Sequence, residues 1–155
     1  MEVWRICPQR YAKRPFDGKG ASEFGGRWNH PGEAVAYCST TLSLAALEFF
    51  VNLDVTEVPD DLVAISAAFP DDLHSERWTL ETLHIDWRET PIPHANRVLG
   101  SAWLQSRRTA VLFVPSAVIP EEFNVLINPA HPDFSKLQIG RPRRFQFDPR
   151  MWKAR

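Results

Sequence analysis

Leu42-Ser43-Leu44-Ala45-Ala46-Leu47-Glu48-Phe49-Phe50-Val51 is apolar at nearly every position, and one carboxylate, Glu48, stands in its middle. Ser39, Thr40 and Thr41 just before it offer side-chain oxygens to cap a helix, so the stretch predicts a helix running to about Leu53. On that helix Glu48 and Asn52 share a stripe at i and i+4, flanked by Leu44 and Val51. A carboxylate in such surroundings has to be paired, or its charge is penalised. Two readings of Glu48 stay open: an acid satisfied by an arginine or backbone amides, and a carboxylate held ready to stabilise a developing cation.

Strands are expected on both sides of this helix. Ala34 to Cys38 reads as one, and Leu62 to Phe69, preceded by Asp60-Asp61 and broken by Pro70, reads as another. Further strand candidates are Val3 to Cys7, Ala110 to Val114, Phe123 to Ile127 and Phe145 to Phe147. Ser75 to Leu83 reads as a short helix, and Asn96 to Arg107 carries Val98, Leu99, Ala102 and Trp103 at helical spacing. Gln9 to Pro31 reads as a long polar loop of the kind that carries function, and His84 to Pro93 as irregular because Pro91 and Pro93 donate nothing to a ladder. Strands mixed with about three helices, without regular alternation, define an α+β chain of one domain over residues 1-155.

The bulk numbers exclude several classes. A chain of 155 residues is long enough to bury a core. Its net charge of -1 gives no electrostatic reason for a nucleic-acid or membrane partner, and no helix-turn-helix supports a DNA-binding regulator. No apolar run approaches the roughly 20 residues that span a bilayer. Met1 to Arg5 lacks the flank of a secretory leader, so a cytoplasmic location is expected. Cys7 and Cys38 lie in apolar runs and read as small buried hydrophobes of a reducing compartment.

Upstream of Glu48, Gly25-Gly26-Arg27-Trp28-Asn29 presents a guanidinium beside an indole, and Tyr37 ends the strand between them. Arg27 alone reads equally as a surface arginine after a glycine turn, and Tyr37 as a core aromatic with its hydroxyl near water. Downstream, Ser116 closes the strand Ala110 to Val114 and its Pro115, well placed to donate into a cleft, with no Gly-x-Ser-x-Gly elbow around it. Asn124 and Asn128 read as turn-fixing asparagines, His131 as a loop histidine. No second His or Cys stands at ligand spacing, so no metal is expected. Arg141, Arg143 and Arg144 read as a solvated basic patch. Gly-x-Gly-x-x-Gly and P-loop motifs are absent.

Together, Trp4-Arg5-Ile6, Gly26-Arg27-Trp28-Asn29, Tyr37-Cys38-Ser39 with Ala45-x-x-Glu48, and Pro115-Ser116 with Asn124-x-x-x-Asn128-Pro129-x-His131-Pro132 resemble the RES domain. That resemblance implies an ADP-ribosyltransferase-like mixed sheet core with several helices. It implies a toxin of a bacterial type II toxin–antitoxin pair that cleaves NAD at the nicotinamide–ribose bond. NAD would be a substrate, with no tightly bound cofactor, and water or phosphate the acceptor. By motif position the family's catalytic arginine, tyrosine, glutamate and serine fall on Arg27, Tyr37, Glu48 and Ser116. Arg5, Trp28, Asn29 and Asn128 join Arg27 and Tyr37 as expected substrate-binding positions. The implied partner is an Xre-type antitoxin.

Two alternatives remain at this point: an ADP-ribosyltransferase that modifies a cellular protein, and a non-catalytic nucleotide- or partner-binding module. The region Pro70 to Pro93 matches nothing in the resemblance. Six tryptophans and ten phenylalanines leave room for an aromatic interface, in a homodimer or a larger toxin–antitoxin assembly.

Overall fold

A computed structural model describes residues 1–54 and 59–152. Among them one sheet of eight strands forms, in the order β4-β5-β6-β2-β1-β3-β7, with β8 also paired to β3. The strands are β1 (Glu2–Pro8), β2 (Ala36–Ser39), β3 (Leu62–Ala68), β4 (Glu76–Arg77), β5 (Val111–Pro115), β6 (Phe123–Ile127), β7 (Gln138–Ile139) and β8 (Arg143–Arg144). Every pairing is antiparallel except β4 with β5, which makes the sheet mixed. Three α-helices accompany it among the described residues: α1 (Lys19–Phe24), α2 (Leu42–Phe50) and α3 (His94–Ser106). The expected α+β class is what forms.

Strand alternation distributes the core over two faces. On β1, Val3 and Cys7 enter a cluster with Cys38, Val63, Ile65, Phe113, Val125 and Ile127. Ile6 points the other way, toward Ala45, Leu62, Ala64 and Phe147, with Trp4 at its margin. Helix α2 lies on this second face. Thr41 caps it by accepting from the Leu44 amide at 3.1 Å, as the run of hydroxyls predicted. Burial of a large apolar side chain such as Leu62 stabilises by about 1.5–3 kcal/mol, so the cluster fixes α2 on the sheet. A third cluster, Trp28, Trp87, Trp103, Leu104, Leu112 and Leu126, joins α3 to β5 and β6.

Four expectations are corrected. Gln9 to Pro31 is not one loop: a 3-10 turn at Gln9–Tyr11 and the six-residue α1 lie within it. Ser75 to Leu83 forms no helix. Its Trp78 amide instead donates to the Phe113 carbonyl of β5, and Thr82 Oγ1 closes a local turn by accepting from the Thr79 amide. Phe145 to Phe147 is no strand; β8 pairs just before it, and Phe147 is spent packing against Phe49, Phe50 and Phe145. Helix α2 ends at Phe50 rather than about Leu53, where Asn52 Nδ2 donates to the Glu48 carbonyl at 2.8 Å.

Candidate active site

Glu48 lies on α2 above the adjoining ends of β2, β5 and β6. Two donors converge on its Oε1: Ser116 Oγ at 2.6 Å and Asn124 Nδ2 at 2.5 Å. Ser116 is fully buried directly after β5, where its amide donates to the Glu122 carbonyl at 2.9 Å. Its Oγ accepts from the amides of Val118 and Ile119 at 3.0 and 2.9 Å. With both amides pointing at the oxygen, the single hydroxyl proton is committed to Glu48. Asn124 stands on β6 opposite Ser39 of β2, and Ser39 Oγ donates to Asn124 Oδ1 at 2.7 Å. The acid is therefore paired, by neutral donors. Among the described residues nothing hydrogen-bonds its Oε2.

The glycine turn is built onto Tyr37. The Tyr37 hydroxyl accepts from the Trp28 amide and donates to Asn29 Oδ1, each at 2.9 Å. Burial pushes this phenol well above its ordinary range, against the Trp28 bond and the nearby Arg97 and Arg27 charges that lower it. The expectation of a hydroxyl near water is thus corrected. Gly26 is required here: a Cβ would lie 2.6 Å from the Tyr37 hydroxyl oxygen. Asn29 is fully buried, and its Nδ2 is consumed by the carbonyls of Ala21, His30 and Glu33. Trp28 is buried between Trp78 and Trp87. Both residues shape the turn from within.

Arg27 projects from that turn. Its Nη1 donates to the carbonyls of Trp87 and Glu89 at 2.8 and 3.2 Å. Burial lowers its affinity for the proton, Glu48 and Tyr37 raise it, and Arg88 lowers it again. The guanidinium thus shares its electrostatic surroundings with Glu48. Arg88, between those two carbonyls, donates through Nε to Ala117 at 2.6 Å, one residue beyond Ser116. The segment around Trp87 to Glu89 therefore bridges the Arg27 turn and the Ser116 turn. It belongs to the region that matched no motif.

The structure unites Glu48 and Ser116 directly, sets Arg27 within the electrostatic reach of Glu48, and gives Tyr37 the support of the turn that carries Arg27. It does not bring Asn128 or Arg5 into the Glu48 cluster. Asn128 follows the far end of β6, where its side chain donates to the Leu104 carbonyl and accepts from the Ala130 amide. Arg5 shares the face of β1 that carries Val3 and Cys7, opposite the face of Trp4 and Ile6. β1 and β2 share a single register pair, Trp4 with Ser39, and Arg5 Nη1 reaches the Tyr37 carbonyl at 3.3 Å where the strands part. Cys7 and Cys38 are free, buried thiols beside it; desolvation pushes Cys38 up to about 12.

Sequence reasoning missed Ser39 and Asn124 as site residues. The cue was present: a helix carrying one acid, with a polar residue at the end of each strand beneath it.

The fold and site define an α+β domain whose sheet and one helix hold a single carboxylate by serine and asparagine, with an arginine beside it. A model of the RES domain matches residues 2–148, and the chain belongs to that family. It is 38% identical over 152 residues to the "Prs ADP-ribosylating toxin" of Sphingobium sp. (strain YBL2), covering 96% of this chain and 94% of that protein. It is 34% identical to "Toxin Res" of Yersinia enterocolitica serotype O:8, covering 97% and 99%. Among solved structures it resembles a chain of the M. tuberculosis MbcT-MbcA toxin-antitoxin complex. The TM-score is 0.74 at 16% identity, over 92% of this chain and 82% of that one, a likeness of fold.

Proposed function

We propose that this chain is the toxin of a toxin–antitoxin pair and an enzyme that breaks the nicotinamide–ribose bond of NAD. The observation that carries the reading is the Glu48 carboxylate, fixed through Oε1 by Ser116 and Asn124, with Oε2 left for a ligand and Arg27 in the same electrostatic surroundings. Heterolysis of the C–N bond sends the bonding electrons to nicotinamide and leaves an oxocarbenium-like ribosyl cation. A carboxylate held in place before the reaction stabilises that charge without reorganising. Among the described residues Arg27 is hydrogen-bonded through Nη1 alone, which leaves Nε and Nη2 to bind the pyrophosphate in bidentate fashion. The acceptor's oxygen or nitrogen then bonds to the anomeric carbon and its proton passes to solvent.

Two acceptor classes follow from this one step. Water or phosphate as the acceptor would deplete NAD. Transfer to a protein is favoured by the name of the Sphingobium relative. The relatives named as toxins support an antitoxin partner, for which we propose the Xre type, covering Glu48. The test is incubation of the purified chain, free of antitoxin, with NAD in the presence and absence of phosphate, then with cell extract and labelled NAD. Free ADP-ribose or its phosphorylated form identifies depletion, a labelled protein band identifies transfer, and no nicotinamide release in any arm contradicts the reading.

A further inference from the structure

We propose that Asn124, held by Ser39, is the positioning residue that decides which oxygen of Glu48 is left without a donor from the described residues. The argument starts from donor direction. A carboxylate only accepts hydrogen bonds, so the side of Asn124 turned to Glu48 is its amide nitrogen. Its carbonyl oxygen then faces Ser39, whose hydroxyl donates to it at 2.7 Å. Ser39 is buried and stands directly across the ladder from Asn124. The next residue locks that register: Thr40 Nα and Oγ1 both donate to the Phe123 carbonyl, at 3.2 and 3.1 Å.

The amide is thus fixed by two sheet strands, a more rigid support than a loop gives. Ser116, directly after a third strand, donates a hydrogen bond to the same Oε1. Both donors on one oxygen set the rotation of the carboxylate about its last bond and leave Oε2 without a hydrogen bond among the described residues. Neither Ser39 nor Asn124 needs to touch substrate for this. A flipped amide would turn Oδ1 toward Glu48 Oε1, acceptor against acceptor, so the carboxylate excludes that orientation and the Ser39 hydroxyl holds the one that remains.

The consequence for rate rests on the proposed NAD chemistry, whereas the contact itself does not. Asn124→Ala, Asn124→Asp and Ser39→Ala are compared with wild type in nicotinamide release from NAD. Asn124→Ala lowers kcat by about 10- to 100-fold, the loss of one hydrogen bond to a charged group, with KM within about 2-fold. Asn124→Asp has the same shape but offers an acceptor in place of the donor, and it loses more than the alanine variant. A residue that only fills space gives the reverse order, because aspartate fills the site and alanine empties it. Ser39→Ala falls between wild type and Asn124→Ala.

The second readout needs no turnover. The side-chain amide resonance of Asn124 in 15N-labelled protein shifts on Glu48→Gln when the bond exists. An unmoved resonance, or Asn124→Asp as active as wild type, overturns the inference. Wild type that releases no nicotinamide defeats the NAD reading instead, and the resonance then decides the positioning on its own.

Discussion

Ser116 gives its hydroxyl proton to Glu48 across 2.6 Å, although 68 residues separate them in the chain. The same oxygen accepts the amides of Val118 and Ile119, so one atom closes the turn after β5 and fixes the acid on α2. Structure and chemistry are joined at this atom.

Ser116→Ala removes three hydrogen bonds and leaves two amide donors without their partner. An unsatisfied buried donor costs about 1–3 kcal/mol, so the variant unfolds at lower urea concentration and turns over NAD more slowly. Equilibrium unfolding checks the first effect; an unchanged midpoint contradicts the geometry.

Tyr37→Phe keeps the ring but frees the Trp28 amide and Asn29 Oδ1. We expect a stability loss of about 1–3 kcal/mol. Because Arg27 is carried by the same turn, KM for NAD should rise more than kcat falls. Steady-state kinetics of the variant separate the two, and a pure kcat effect argues against this role.

Gly100 brings α3 against the Arg27 turn: a Cβ there would lie 1.7 Å from the Trp28 carbonyl oxygen. Gly100→Ala forces the helix and the turn apart, costing about 1–3 kcal/mol or more. Alanine ordinarily favours a helix over glycine by about 1 kcal/mol, so the sign of the change is diagnostic. A rise in Tm for this variant would show that the two backbones do not meet.

The buried thiols make an alkaline limit. Burial pushes Cys38 up to about 12, and burial likewise raises Cys7. In the unfolded chain both ionise near the ordinary thiol value, so their stabilisation is whole below that pH and lost as pH rises through the folded values. Above about pH 9 the loss for Cys38 approaches about 1.4 kcal/mol per pH unit. Urea midpoints from pH 8 to 11 should fall, less so in Cys38→Ala; parallel curves would contradict the assignment.

Much of this was legible beforehand, and for physical reasons. The α2 cap at Thr41 and the strands β3, β5 and β6 were readable because apolar runs and hydroxyl caps are local signals. Glu48 stood out because an acid among apolar residues is conspicuous. Local signals failed where partners are distant. Thr79 and Thr82 look compatible with a helix until the ladder bond of Trp78 to Phe113 is seen. Phe145 and Phe147 look like strand residues until α2 is laid against them. Ser39 and Asn124 lie 85 residues apart and meet only through the register of β2 with β6. Arg5 was expected at the substrate by motif position alone, and only strand alternation shows which face of β1 it takes.

The most direct test is nicotinamide release from NAD by wild type and Glu48→Gln, with circular dichroism and Tm to confirm that both are folded. Replacing a positioned charge by a neutral isostere should cut the rate by about 100- to 1000-fold while Tm changes little. Release by a folded Glu48→Gln protein at the wild-type rate would contradict the central claim.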